Sequence, residues 1–329
     1  MANQLVKKSL IQLLLILTPL YGVCQLEPQQ NYEDINMEKQ LKSLKIMLYR
    51  SEDTTNTEGR LLFSKTFNKE GKLAEKYYYI FWDVVSYDYT TTYQYNEDGQ
   101  IIEETKIQRV LNLGKRDEKY INALGDDPIN EKIFYFYDVN KRLGKKTKYI
   151  FGREGFDESQ KPTVICEYFY DRAGQLIKET SETANGRVIF ENYLLEYRYD
   201  GKGQLIKKHK TFTTDKHNKL PTRLTEYKYN GNGHLIEEVV MDNQNSSNSH
   251  HLKFEYNRAG KKLKTYSYDN SKNVWALTQS FSYDKNGRLI LGDDETTFDF
   301  YENGLIKQEL WKSENSDEVV NFITKYEFY

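Results

Sequence analysis

Aromatic and charged side chains alternate in short segments along this chain. In Thr225-Glu226-Tyr227-Lys228-Tyr229 the rings fall on every second residue and the charges lie between them. A period of two is typical of a β-strand that buries one face. Asp or Asn follows the second ring, Gly stands three residues later, and Leu-Ile opens another apolar run. This order predicts a β-hairpin with a type I turn, which the glycine closes at positive φ with a β-bulge.

The hairpin motif occurs about nine times. The clear copies are Tyr93–Ile102, Tyr168–Ile177, Tyr197–Ile206, Tyr227–Ile236 and Phe281–Ile290, and the looser ones are Phe67–Leu73, Tyr135–Leu143, Phe254–Leu263 and Phe298–Ile306. The predicted turn glycines are Gly71, Gly99, Gly174, Gly203, Gly233, Gly260, Gly287 and Gly304, and Lys141 takes this place in the third copy. Successive copies from Gly174 to Gly287 lie 27 to 30 residues apart. That spacing accommodates two strands without a crossover helix, so it predicts an antiparallel meander of stacked hairpins.

Residues 1–24 have the pattern of a signal peptide. Lys7 and Lys8 precede an apolar run centred on residues 13–17, which is short for a membrane span, and polar residues follow it. No other segment is apolar enough to cross a bilayer, so no membrane span is expected once the signal is removed. The N-terminus therefore predicts export to the periplasm, the cell surface or the medium.

The cleavage site is expected after Cys24, because Gly22 and Cys24 are small residues at the positions that precede cleavage. A lipid anchor on Cys24 is an alternative, although Val23 stands where lipoproteins usually carry a small residue. A retained anchor is the third possibility. Cleavage after Cys24 would leave Cys166 as the single cysteine, and its place before a Tyr-Phe-Tyr segment predicts a buried strand residue.

The mature chain is expected to have two parts. Residues 25–50 are interpreted as an N-terminal segment and cap, with a short helix from Asn36 followed by a strand, and residues 51–329 as the repeat domain. The half repeat Lys325–Tyr329 predicts a final strand that closes a sheet edge. The longest insertions in the connectors are predicted at Ile107–Lys132 and Tyr149–Thr163.

Composition narrows the class of protein further. The chain has 28 Tyr and 16 Phe, which argues against disorder and favours thin layers with packed rings and hydroxyls in water. Its 47 basic and 49 acidic residues leave a net charge of −2, so no long-range field favours nucleic acid as a partner.

Three copies of the motif, Tyr170–Leu176, Tyr199–Leu205 and Tyr283–Leu289, have the order Tyr-Asp-x-x-Gly-x-Leu. This order resembles the YD repeat, also called the RHS repeat, over roughly Phe63–Ile306. Long members of that family wind such hairpins into a β-shell around a toxin. The resemblance implies an all-β, extracytoplasmic protein whose antiparallel hairpin repeats stack as an open twisted sheet or a partial RHS-like β-solenoid. With few repeats and no proline-containing self-cleavage core, toxin delivery is not implied.

No residue pattern indicates catalysis, a metal site or a cofactor. The five histidines have no metal-ligand spacing, and the pair His250-His251 is interpreted as part of an exposed Asn/Ser loop. Asp138, Asp171, Asp200 and Asp284 recur at one turn position, so turn geometry explains them. The sequence therefore predicts that the protein is not an enzyme.

Candidate binding residues are the three tryptophans, Trp82, Trp275 and Trp311, because they lie outside the repeat frame. Trp275, placed in a predicted connector from Asn270 to Ala276, is the first choice. Three functions remain open at this point. The first is an envelope or surface scaffold whose variable connectors bind a protein, the second is a module that binds cell-surface glycan through exposed aromatic rings, and the third is an enzyme with a site in Ile107–Lys132.

Overall fold

A computed structural model describes residues 41–50, 60–81, 85–113, 129–152, 154–183, 192–212, 222–243, 249–287, 289–291, 297–300, 306–312 and 319–328. The strands in these ranges are β1 (Leu41–Arg50), β2 (Arg60–Phe67), β3 (Leu73–Phe81), β4 (Val85–Tyr95), β5 (Ile101–Leu113), β6 (Asn130–Tyr137), β7 (Leu143–Phe151), β8 (Val164–Tyr170), β9 (Leu176–Thr183), β10 (Tyr193–Tyr199), β11 (Leu205–Phe212), β12 (Thr222–Tyr229), β13 (Leu235–Asp242), β14 (His250–Tyr256), β15 (Lys262–Asp269), β16 (Val274–Ser280), β17 (Ser282–Tyr283), β18 (Leu289–Leu291), β19 (Thr297–Phe300), β20 (Ile306–Lys312) and β21 (Val319–Phe328). All of the described pairings are antiparallel, which confirms the all-β hairpin prediction.

The chain forms two compact units, residues 1–163 with 300–329 and residues 164–299. In the first unit, neighbouring strands follow the order β20-β21-β1-β2-β3-β4-β5-β6-β7. In the second, β8 to β16 pair consecutively, and β17, β18 and β19 form a short continuation. Each unit is therefore a meander of hairpins.

The first and last described strands pair with each other. A strand does form at Leu41–Arg50, but it pairs on both sides, with Ile46 opposite Phe63 of β2 and opposite Thr324 of β21. β21 lies between β1 and β20 and covers one edge of each, in agreement with the predicted final strand. The two ten-residue strands satisfy each other's backbone groups. The predicted helix from Asn36, the signal peptide and its cleavage site lie outside the described residues.

The repeat turns have the predicted geometry. Seven of the predicted glycines have φ between 77° and 87°, and Lys141 takes the same place with φ of 62°. At Asp200, the carbonyl accepts the Gly203 N–H at 3.0 Å and the side chain accepts the Gln204 N–H at 2.9 Å. Tyr199 pairs with Leu205 and Arg198 with Lys207, so one residue bulges between them, as predicted. Gly304 lies outside the described residues.

Two repeated side-chain contacts join consecutive hairpins. The tyrosine before the turn donates its hydroxyl to a carbonyl at the start of the preceding return strand, over 2.7 to 2.8 Å, at Tyr95, Tyr137, Tyr199, Tyr229, Tyr256 and Tyr283. The second contact points to the following hairpin. The side chain of the residue after the turn glycine donates a hydrogen bond to a carbonyl of the next turn, as Gln100 does to the Lys141 carbonyl at 2.7 Å. Gln175, Gln204 and Lys261 repeat this contact. Stacking therefore provides each of these hydroxyls with a carbonyl acceptor within the protein.

In the first six hairpins, the residue five positions after the turn glycine, or after Lys141, alternates in charge, and the alternation stops at Thr265 after Gly260. The alternating residue is Lys76, Glu104 and Lys146 in the first unit, and Glu179, Lys208 and Glu238 in the second. Five of the six lie opposite the first tyrosine of the motif on the paired strand, for example Glu104 opposite Tyr93 and Lys208 opposite Tyr197, and Lys76 lies opposite Lys65. Tyrosine from the following hairpin donates to the carboxylates of Glu104, at 2.8 Å, and Glu179, at 3.0 Å. Within each unit, consecutive hairpins therefore place opposite charges at this position, which favours one order of repeats.

The core of the second unit is thin and mixed. Leu195 and Glu179 are fully buried, and Cys166, Tyr193 and Tyr168 are nearly so. Cys166 lies in β8 with its sulfur 3.6 Å from Ser181 Oγ, which confirms the prediction of a buried strand residue. The tyrosines in this core pack their rings between hairpins, as the repeat pattern predicts.

The two long insertions contain more ordered structure than predicted. Ile107 to Leu113 continue β5 and pair with β4, and β6 begins at Asn130, so only residues 114–128 between them lie outside the description. In the second insertion, the ring of Phe156 packs 5.2 Å from Tyr149 and 6.0 Å from Phe134. That loop folds back on the sheet because apolar rings of β6 and β7 would otherwise face solvent.

Candidate ligand-binding patch

Trp275 lies in a strand and not in the predicted connector. It is the second residue of β16, and the connector before it consists of only residues 270–273. The turn is this short because the Asp269 side chain accepts the backbone N–H groups of Ser271 and Lys272, and Asn273 adopts φ of 55°. Trp82 lies outside the described residues. Trp311 belongs to β20, and its side chain is outside the description.

Three aromatic rings meet at Trp275. The His251 ring from β14 lies 4.7 Å away at 70°, and the Tyr268 ring from β15 lies 5.2 Å away at 62°. Both angles correspond to edge-to-face packing. Trp275 remains 38 % exposed, and Leu277, two residues along the same face, is 54 % exposed. We call His251, Tyr268, Trp275 and Leu277 the β16 patch.

The histidine pair is part of a strand, contrary to the loop prediction. His250 and His251 begin β14 and pair with Val240 and Val239 of β13. His250 Nε2 lies 3.0 Å from Glu238 Oε1, and His251 Nε2 lies 2.6 Å from Glu237 Oε1. Because of the Asn/Ser run, the loop was predicted to extend through His251. In the structure it is shorter, since pairing with β13 begins at His250, directly after Ser249.

Glu237 forms the polar rim of the patch. Lys228 Nζ donates to both of its oxygens at 3.0 Å, and His251 contacts the first oxygen. Burial alone would raise the pKa of Glu237, but the hydrogen bonds from Lys228 and His251 outweigh it and lower that pKa. The carboxylate is therefore ionised at neutral pH, and its charge is balanced within the protein.

β16 also presents an open backbone edge. Its described partner is β15, and all five residues from Val274 to Thr278 are exposed. The return strand β18 has only three residues, pairs with β17, and turns back so that Leu291 faces Thr297 of β19. The described residues of β18 pair with β17 and β19 and not with β16. Among the described strands, none covers the second edge of Val274–Thr278.

A second polar cluster lies inside the same unit. Glu179 is fully buried, with Oε1 accepting the Tyr193 hydroxyl at 2.6 Å and Oε2 accepting the Tyr197 hydroxyl at 3.0 Å. Burial and the Glu179 charge raise the pKa of Tyr168 and Tyr197, and burial lowers the pKa of Lys210 to about 8. Shifted pKa values are typical of functional sites. The carboxylate has no exposed surface, however, so this cluster serves packing rather than an open site.

Stability should depend on pH through Lys210. Its folded pKa of about 8 lies below the unfolded value of 10.5, so between these values the unfolded chain binds more protons. The contribution of Lys210 to the free energy of unfolding is therefore unfavourable below pH 8 and is relieved as the pH rises towards 10.5. We expect urea denaturation of Lys210→Met to show a smaller rise in stability from about pH 8 to about pH 10 than the parent shows. Parallel curves for the two proteins would contradict the assignment.

Other sites are limited to what the described residues contain. Among them, no group of three or more His, Cys, Asp or Glu side chains is placed to hold a metal ion. They also include no helix with the length and hydropathy of a membrane span. Sequence reasoning identified Trp275 but missed Tyr268, His251 and Leu277. The alternation of Tyr266 and Tyr268 in β15 was the one local signal for an aromatic face there.

Comparison with known proteins gives distant likenesses only. No family model and no curated protein matches the sequence. The Photorhabdus luminescens Tc holotoxin pore is 14 % identical with a TM-score of 0.37, over 84 % of this chain and 17 % of that one. TcdB2-TccC3-Cdc42 gives 13 % identity and a TM-score of 0.34, over 86 % and 19 %. A porin-like protein from Bacteroides uniformis gives 10 % and 0.39, over 88 % and 98 %.

The aligned part thus spans less than a fifth of the two toxin chains. At TM-scores below 0.5 these likenesses carry no argument about this chain, so the fold assignment depends on its own strand pairing. Membership of the YD-repeat family stays a prediction.

Proposed function

We propose that this chain is an exported, non-enzymatic scaffold that binds another protein, and that the β16 patch is its recognition surface. The observation that supports this proposal most is the open backbone edge of Val274–Thr278. Within this segment, the side chains of Trp275 and Leu277 are exposed on one face. An uncharged edge of this kind offers backbone hydrogen bonds to an added strand, and the side chains beside it provide apolar contact.

The repeat frame itself is already occupied by internal contacts. Its turn aspartates bind their own backbone, its tyrosine hydroxyls bind the preceding hairpin, and its glutamines bind the next turn. Residues that bind a partner are therefore expected where the chain departs from the repeat pattern. The β16 patch is one such departure, and the connectors, above all residues 114–128, are the other.

Glycan binding is the second candidate function, favoured by the partly exposed Trp275 ring and the Glu237 carboxylate near it. Sugar rings stack on aromatic faces, whereas an added strand needs the backbone edge. Val274→Lys separates the two, because a lysine blocks strand addition at an edge while leaving Trp275 in place.

Trp275→Ala tests the proposed function. We expect immobilised parent protein to retain partners from a cell-envelope extract that Trp275→Ala loses, as identified by mass spectrometry. Phe169→Ala is the matched control, because Phe169 is 41 % exposed in the same unit but lies in β8, away from the patch. It should retain the same partners as the parent.

The same three proteins, together with Val274→Lys, should be tested on a glycan array. Glycan binding that Trp275→Ala removes and Val274→Lys keeps would assign the patch to sugars. Identical retention by parent, Trp275→Ala and Phe169→Ala in both assays would show that the patch is not the recognition surface.

A further inference from the structure

We propose that the hairpin turns of the second unit, with the bulge residues beside them, bind the surface of a lipid bilayer that has anionic headgroups. We call this surface the turn edge. It consists of residues 169–178, 198–207, 228–237, 255–264 and 282–287 with 289–291. The turn edge is separate from the β16 patch, so this inference goes beyond the proposed function. Three features support it, namely the alignment of the turns, an apolar residue at every bulge, and an excess of basic side chains.

The five turns lie side by side along one edge of the sheet. Gln175 and Gln204 each donate to the glycine carbonyl of the following turn at 3.4 Å, and Lys261 donates to the Gly287 carbonyl. The tyrosine hydroxyl contacts connect the same hairpins. Each hairpin contributes two strands about 4.8 Å apart, so the first and last turns are separated by about 40 Å. An edge of this length fits an extended surface better than a small ligand.

Each of the five hairpins places an apolar residue at its bulge. Arg198 pairs with Lys207 and Tyr199 with Leu205, so the residue between Leu205 and Lys207 has no residue opposite it. The bulge residues are Ile177, Ile206, Ile236, Leu263 and Ile290. Three of them, Ile177, Ile206 and Ile290, are 40 %, 37 % and 41 % exposed. A polar residue would suit an exposed bulge equally well, so the recurrence of Ile and Leu indicates an apolar contact outside the sheet.

Basic residues accompany this apolar row. The turn edge contains eleven basic and five acidic residues. The corresponding stretches of the first unit, residues 66–75, 94–103 and 136–145, contain five basic and six acidic residues. The net charge of −2 for the whole chain therefore conceals a positive edge in the second unit, which attracts anionic surfaces.

The acidic residues of the turn edge are largely engaged within the protein. The side chains of Asp171, Asp200 and Asp284 accept backbone N–H groups of their own turns. Glu237 is paired with Lys228 at 3.0 Å. The exposed basic residues within the turns are Arg172, Lys202, Arg258 and Lys285. Their charged groups are therefore available to anions outside the protein.

The combination of basic and apolar side chains favours a bilayer over a soluble polyanion. Ammonium and guanidinium groups pair with lipid phosphates, while apolar side chains next to them enter the boundary between headgroups and acyl chains. A soluble polyanion would use the basic residues and leave the isoleucines without a contact. The bilayer accounts for both features.

Binding of the purified full chain to vesicles, measured by co-sedimentation, tests this inference. Vesicles of mixed phosphatidylglycerol and phosphatidylcholine should bind the protein at least about tenfold more tightly than vesicles of phosphatidylcholine alone. All variants have the same N-terminal segment, so the contribution of its apolar run is equal among them.

Two variants separate the charged from the apolar contribution. Lys285→Glu should lower the affinity for anionic vesicles about tenfold, because it replaces a cation by an anion. Its control is Lys69→Glu, since Lys69 directly follows the turn asparagine of the first unit as Lys285 follows the turn aspartate. Ile206→Gln should lower the affinity about threefold or more. Its control is Ile102→Gln, at the equivalent bulge of the first unit and 36 % exposed. Both controls should bind like the parent.

An absence of preference for anionic vesicles would overturn the proposal, as would equal losses in Lys285→Glu and Lys69→Glu. A loss with Lys285→Glu and none with Ile206→Gln, together with equally tight binding of soluble polyphosphate, would assign the edge to anionic polymers instead of a bilayer. None of these results affects the proposed function, which depends on retention of a protein partner through Trp275.

Discussion

Replacing Glu179 by alanine is expected to destabilise the protein by about 3–5 kcal/mol, the loss typical of removing one member of a buried charged network. Glu179 is fully buried and accepts the hydroxyls of Tyr193 and Tyr197, which the truncation would leave without their acceptor. An unsatisfied buried donor loses its hydration and gains nothing in return. Equilibrium unfolding in urea, monitored by far-ultraviolet circular dichroism, gives the difference.

Glu226→Ala is the matched control for this prediction. Glu226 lies on the exposed face of β12 in the same unit, and its pair with Lys207 at 3.4 Å is open to solvent. Exposed pairs contribute little, so the change should be below about 1 kcal/mol. Similar losses for the two variants would mean that the Glu179 cluster is not the polar centre of the unit.

Gly203→Val and Gly233→Val are expected to lower the melting temperature far more than Gly201→Val. Gly203 and Gly233 have φ of 82° and 87°, where a β-branched residue costs about 1–3 kcal/mol. A Cβ atom at Gly203 would also lie 3.1 Å from Gln175 Nε2, and one at Gly233 3.1 Å from Gln204 Nε2. Gly201 has no atom within 4 Å of the corresponding position.

Lys141→Gly is the complementary variant. Lys141 holds the same turn position at φ of 62°, so glycine should relieve its backbone strain and leave the fold at least as stable. Thermal unfolding of the four variants side by side measures the set. Equal melting temperatures for Gly201→Val, Gly203→Val and Gly233→Val would show that the turn assignment is wrong.

Local features of this chain could be predicted from its sequence, whereas features that depend on distant pairing could not. The turn at Asp200, the positive φ of Gly203 and the bulge beside Tyr199 follow from chemistry within a few residues. The position of β1 between β2 and β21 depends on a partner at the other end of the chain, which a local pattern does not identify.

The candidate site shows the same division. Trp275 was identified because it departs from the repeat, but its neighbours come from three strands whose register sets which rings meet. The open edge beside it is a matter of pairing too, since Leu291 of β18 lies opposite Ser282 and Thr297 and no described strand pairs with the second edge of Val274–Thr278. The alternation of charge from Lys76 to Glu238 was present in the sequence, yet its meaning appears only once those residues share a position in consecutive hairpins.

The central claim is that β16 presents an open edge for recognition, and hydrogen–deuterium exchange of the dilute chain tests it most directly. A peptide that covers residues 270–281 should exchange much faster than one that covers β12, since β12 pairs on both sides, with β11 and β13. Protection of β16 equal to that of β12 in the dilute chain would contradict the open edge and the functional proposal built on it.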